Sequence, residues 1–174
     1  FSASKLKTMF LDQFYSQQDT GVEISGEQAS HFAKHMANDF NPLHDPDAKR
    51  FCVPGDLLFA LVLSKYGLSR QMKFAFSGMV GQGVSLQFPD SDASTLAIRD
   101  TEGREYLQIE RAEEVSRDPV LIENLTCRYV KFSGQTFPHI LVPLMSEQKV
   151  MINPERPLVI YENMSIDLDR LNFS

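Results

Sequence analysis

Cysteine is scarce in this chain: Cys52 and Cys127 are the two present among 174 residues. They stand far apart, with no CxxC and no paired spacing. Nothing here reads as a disulfide framework, and a reduced, cytoplasmic setting is the expectation. Neither has beside it the base that a nucleophilic cysteine needs, so both are expected to be buried thiols. Long apolar runs are missing too. None approaches the roughly 20 residues needed to span a bilayer, and the first residues show neither the apolar stretch nor the small-residue cleavage site of a signal peptide. Positive charge is outnumbered, with 17 Lys and Arg against 23 Asp and Glu, a formal net charge of −6. An acidic surface repels phosphate backbones and anionic membranes, which argues against a nucleic-acid partner. A local basic patch could still hold an anionic cofactor tail, with Lys49 and Arg50, or Arg70 and Lys73, as candidates, although such pairs are usually solvated surface.

Metal and phosphate signatures are absent as well. Glu27, His31 and His35 are spaced one helical turn apart, but no HExxH occurs and both histidines fall off the apolar stripe. A solvated helix face is the expected reading, with no metal site. Ser77-Gly78 and Gly81-x-Gly83 lack the Lys and Ser/Thr of a phosphate loop and read as bulged strand. No cofactor is expected.

What is present is a foldable chain. Hydrophobic residues make up 43%, which favours a globular domain over disorder. Ser25 and Gln28 have the spacing of a capping box. Ala29, Phe32, Ala33, Met36 and Ala37 then form one apolar helix face, which Pro42 stops. Gly55 introduces a second helix, 56–66, apolar nearly all round and therefore expected to be buried on most sides. Asp56 is placed to cap it and Gly67 to close it. Residues 72–88 read as strand, and 96–99 with 105–111 as a hairpin around Thr101-Glu102-Gly103. A further apolar stretch, 137–145, reads as a second helix, followed by a loop at 153–157 and a strand over 158–168. Residues 1–8 precede Met9 and read as leader. The chain ends at Ser174 where more sheet is expected, so a longer native C-terminus is anticipated.

The segment that carries chemistry is Asp39-Phe40-Asn41-Pro42-Leu43-His44. A helix C-terminus does not favour a carboxylate, yet Asp39 sits at one. The Asn41-Pro42 turn can aim Asp39 and His44 into one space, where acid and imidazole together hold a water. Gly55 opens the buried helix, where unpaired N–H groups can polarise a carbonyl or stabilise an enolate. The bland alternative is a helix-ending turn, since Asp, Asn and Pro make turns for local reasons.

The string D-x-N-P-L-H resembles the signature of the R-specific enoyl-CoA hydratases, the MaoC-like branch of the hot-dog superfamily. The likeness spans about residues 25 to 68. It implies Asp39 as main base, His44 as acid/base partner, Asn41 as brace of the turn and Gly55 as oxyanion donor, adding water to a 2-enoyl thioester of coenzyme A or acyl carrier protein. The family's Gly before the aspartate is here Asn38, the loop from His44 to Gly55 is shorter, and the acidic residue after the histidine stands one place on, at Asp45. The whole chain also resembles an uncharacterised bacterial family of unknown function.

The expected fold is α+β: a hot-dog, with an antiparallel sheet wrapped around the helix of 56–66. It is read as a double hot-dog with an incomplete second half, units 9–118 and 119–174 sharing the sheet. Phe40, Leu57, Leu58 and Phe59 are expected to line a narrow apolar pocket. A homodimer or internal pseudo-dimer follows by analogy. A non-catalytic acyl-thioester or fatty-acyl binder and a thioesterase are the alternatives. His139 reads as structural or pocket-lining.

Overall fold

The computed structural model describes residues 9–135, 142–149 and 162–171. The first helix begins as its sequence prescribes. Ser25 Oγ accepts from the Gln28 N–H at 3.1 Å, and Gln28 Oε1 accepts from the Ser25 N–H at 3.0 Å. From this cap runs α1, Gly26–His31. The helix then widens into a π-helical segment, Phe32–Met36. It ends before Pro42 is reached, because Asn38 takes a left-handed φ of 53°. Pro42 instead opens a short 3-10 turn, Pro42–His44.

The second helix, α2, runs Gly55–Tyr66 and buries residues on every side, among them Leu57, Leu58, Phe59, Leu61 and Leu63. Full burial of each such side chain contributes about 1.5–3 kcal/mol relative to exposure. Pro54, not Asp56, occupies its cap position, and no side chain caps it. Asp56 instead lies inside the first turn. Gly67 closes the helix with φ 86°, its N–H donating to the Leu63 carbonyl. A Cβ at Gly67 would run into Val115 and the Ser116 carbonyl, so the chain leaves α2 under close packing.

Nine short strands among the described residues follow the order β1 Ser16–Gln18, β2 Gly21–Glu23, β3 Leu68–Ser69, β4 Gln71–Phe76, β5 Leu86–Gln87, β6 Thr95–Asp100, β7 Glu105–Arg111, β8 Val115–Ser116 and β9 Asn163–Asp167. Among the described residues seven form one antiparallel sheet, ordered β1-β2-β5-β6-β7-β4-β9, and β3 pairs with β8. The protein is thus α+β. Alternation sets the inward face: Met72 and Phe74 of β4, Leu96 and Ile98 of β6 and Ile109 of β7 are buried. The β6–β7 hairpin turns where expected, at Thr101–Gly103. The strand expected over 72–88 is broken. Residues 77–85 form a loop in which the Val80 carbonyl accepts from the Val53 N–H, so that backbone group holds another loop instead of a ladder.

A long helix absent from the sequence reading, α3, spans Pro119–Gly134. Asp118 caps it by accepting from the N–H groups of Val120 and Leu121, at 3.0 and 3.4 Å, with Pro119 at the first helical position. Helix α2 lies between the sheet and α3. The Phe59 ring sits 5.1 Å from Phe74 of β4 and 4.8 Å from Tyr129 of α3. Part of the apolar stretch 137–145 is described, as helix α4, Val142–Glu147, and Leu144 there is exposed, so this piece is no second buried helix. Residues 1–8, His139, the loop at 153–157, residues 158–161 and the end at Ser174 lie outside the described residues. No helix among the described residues is long and apolar enough to cross a membrane.

Candidate active site

The end of the first helix is built to turn the chain sharply. The Ala37 N–H reaches back five residues to the Phe32 carbonyl, and the Asp39 N–H reaches six back to the Ala33 carbonyl at 2.7 Å. Such a closure needs a left-handed residue between them. Asn38 supplies it, and Asn tolerates that region better than any residue but Gly. Asn38 therefore sits before the aspartate without breaking the turn. A π turn at this point re-aims the residues after it, a recurrent device at functional sites.

Asp39 and His44 then converge. Asp39 Oδ2 lies 3.5 Å from His44 Nε2, with both side chains mostly withdrawn from solvent. Asn41 sits between them as a brace. Its N–H donates to Asp39 Oδ1 at 2.9 Å, and its side-chain oxygen accepts from the Leu43 N–H at 3.1 Å. On the far side of the ring, His44 Nδ1 lies 2.7 Å from the Cys52 carbonyl oxygen. A carbonyl only accepts, so Nδ1 carries the hydrogen. In the neutral imidazole Nε2 is then the open lone pair, and it faces Asp39. Cys52 is itself fixed, its N–H donating to the Leu43 carbonyl. Burial pushes the Cys52 thiol up to about 11, so it stays protonated and structural.

The remaining expected residues divide. Gly55 is the first residue of α2, where amides have no intrahelical acceptor. Leu57, Leu58 and Phe59 are packed into the core. Phe40, expected among the pocket lining, is instead 56% exposed. His31 and His35 are exposed, their rings edge to face at 4.5 Å, and among the described residues no three His, Cys, Asp or Glu are grouped to hold a metal. Asp45 pairs with Lys34 at 2.9 Å on the surface.

Asp56, expected to cap the buried helix, does not. It is almost completely buried, within electrostatic reach of Asp39 and His44. Burial, chiefly, raises its carboxyl to about 7. The nearby Asp39 charge raises it further, and the Ser133 hydroxyl and His44 oppose the rise. Ser133 belongs to the last turn of α3, which presses on the Asp39 turn: a Cβ at Gly134 would collide with the Ala37 carbonyl. The sequence signal for this contact was the Asp118-Pro119 helix start.

The profile of a family described as Protein of unknown function (DUF3581) matches residues 9–174. The chain belongs to this family. The likeness of the whole DUF3581 chain to a family of unknown function is thereby established, and Asp39, His44 and Asp56 all fall within the matched region. No curated protein and no solved structure matches this DUF3581 chain.

Proposed function

We propose that Asp39 and His44 are the acid/base pair of a hydro-lyase that adds water to a 2-enoyl thioester, or removes it from a 3-hydroxyacyl thioester. The observation that carries this reading is the 3.5 Å approach of Asp39 Oδ2 to a His44 ring whose other nitrogen is tied to a carbonyl. A water in contact with both groups meets an acceptor and a proton donor at once. Asp39 takes one proton from that water as its oxygen bonds to C3. The π electrons of the double bond shift toward C2 and the thioester oxygen, and imidazolium His44 delivers its Nε2 proton to C2. Afterwards Asp39 is neutral and His44 has lost a proton. Transfer across the short gap between them restores the starting charges. The Gly55 N–H is assigned to the thioester oxygen, where a helix-start amide stabilises the enolate.

The strand order supports a hot-dog reading of the fold. In the seven-stranded antiparallel sheet, β2, which precedes the buried helix, and β4, the first strand of that sheet to follow it, are separated by β5, β6 and β7. In the same reading residues 9–118 form the unit bearing the motif, and 119–174 a partial second unit that adds β9 to the sheet edge. The handle is coenzyme A or an acyl carrier protein.

The test is loss of conjugated-enoyl absorbance with crotonyl-CoA and longer enoyl-CoAs. Wild type is expected to hydrate at least one of them. Asp39→Asn is expected to stay folded and to fall by about 10²–10⁴-fold, the contribution of a positioned general base. If wild type leaves the absorbance of every chain length untouched, the hydratase reading is wrong. Release of free thiol in place of hydration would make the same pair a thioesterase.

A further inference from the structure

A buried cation stands at the end of α2 opposite Gly55. Arg111 is the last residue of β7 and is 8% exposed. Its guanidinium donates from Nε to the Ala93 carbonyl at 3.1 Å, from Nη1 to the Tyr66 carbonyl at 3.3 Å and from Nη2 to the Ser91 carbonyl at 3.0 Å. Its Cζ lies 5.4 Å from the centre of the Tyr66 ring. Among the described residues no carboxylate pairs with it. The cations around it do have acids: Lys65 has Asp90 at 3.0 Å, and Arg117 has Asp92 at 3.9 Å. A buried charge with no opposite charge is costly. The three carbonyls, one of them at the negative end of α2, offset part of that cost. They leave a full positive charge, and among the described residues one N–H on Nη1 and one on Nη2 stay uncommitted.

A cleft of about 380 Å³ opens at this point, its lining including Asp92, Ser94, Arg111, Glu113 and Arg117. Of the described lining residues Arg111 alone is buried, so it forms the floor. We propose that this cleft binds the phosphate group of a small phosphate monoester, with Arg111 as its buried anchor. A guanidinium offers N–H groups side by side in the spacing that phosphate oxygens accept. Ser94 adds a hydroxyl at the rim, and Arg117 a second cation. Asp92 and Glu113 oppose an anion, but both are exposed, the Asp92 side chain completely. Water and salt screen them, whereas Arg111 acts through surroundings of low dielectric. The volume falls in the range of roughly 300–1,000 Å³ typical of small-molecule sites, which leaves room for more than a bare phosphate. The site is separate from Asp39 and His44 and does not depend on their role.

The experiment titrates the full chain with inorganic phosphate and, separately, with adenosine 5′-monophosphate, at constant ionic strength against chloride. The backbone amide NMR signals of Ser94, Arg111 and Ala112 report occupancy. Both probes are expected to shift them, the monoester with the lower Kd. Arg117→Gln and Ser94→Ala lie on the exposed rim, where the core is untouched. Each is expected to weaken binding of the monoester, Arg117→Gln by about tenfold or more, as loss of a charge-assisted hydrogen bond does. Asp92→Asn removes an opposing charge and frees Arg117, and is expected to tighten binding. Arg111→Gln is expected to abolish it, and where that variant fails to fold the three rim variants still decide. If neither probe moves these signals more than chloride does, or if binding is the same in wild type and all three rim variants, Arg111 is a structural clasp alone and the proposal is overturned. Inorganic phosphate binding as tightly as the monoester overturns the assignment of the ligand. Neither probe carries an enoyl group, so the outcome leaves the hydratase reading untouched.

Discussion

The Cys52 carbonyl oxygen lies 2.7 Å from His44 Nδ1, and this contact decides which ring nitrogen meets Asp39. The loop from His44 to Gly55 is short, but it is not idle. It folds back through the Cys52 N–H to Leu43 and the Val53 N–H to Val80, which brings one carbonyl to the ring. A first prediction follows. In the neutral state His44 is the Nδ1–H tautomer, readable from its two ring 15N shifts above the imidazole titration. An Nε2–H tautomer at high pH would mean that the Cys52 contact does not orient the ring, and the acid/base geometry would lose its basis.

Asn38 offers a second test. Its φ of 53° is a position where a Cβ costs roughly 1–2 kcal/mol, partly relieved for Asn by its short polar side chain. Asn38→Gly is expected to leave stability within about 0.5 kcal/mol of wild type, and Asn38→Ala to lower it by about 1 kcal/mol, measured by urea unfolding. Equal stability of the Ala and Gly variants would contradict a left-handed residue at the base of the Asp39 turn.

Local signals carried much of what could be read in the sequence. The Ser25/Gln28 cap, the all-round apolar pattern of α2 and the β6–β7 hairpin depend on neighbours within a few residues, and all three form. Asp39 and His44 meet because a single turn separates them. The π widening at Phe32–Met36 was hidden, since its apolar spacing is that of an ordinary helix. Asp56 looked like a cap because Asp beside a helix start usually is one. Its burial depends on α3, far along the chain, which no local pattern near Asp56 reveals. The apolar residues Val80 and Val84 suggested strand, but a loop with three glycines uses them to cover the core.

Asp56 also makes stability depend on pH with a definite sign. Its folded-state carboxyl, at about 7, lies above the 3.8 of an ordinary aspartate. Between those values the folded chain binds the extra proton. This contribution is therefore fully present below about pH 4 and is lost as pH rises through 7. The gap corresponds to at most about 4 kcal/mol. Urea unfolding at steps from pH 4 to 8 should show Asp56→Asn gaining on wild type as pH rises. Parallel curves for the two proteins would show that Asp56 is not a buried acid with a raised pKa.

Gly134 tests how the second long helix holds the site. Its backbone lies against the Ala37 carbonyl so closely that any Cβ must displace one chain from the other. That carbonyl belongs to the turn that ends in Asp39. Two backbones are in contact, so no flexible side chain can swing away to make room. Overpacking of this kind costs roughly 1–3 kcal/mol. Gly134→Ala is expected to lower stability by that amount and to shift the backbone amide signals of Ala37 to Asn41. An exposed site on the same helix provides the control, since Phe132 faces solvent and Phe132→Ala should leave those signals in place. If Gly134→Ala is as stable as wild type and the Asp39 turn does not respond, α3 is not seated on that turn, and the route by which it buries Asp56 is removed with it.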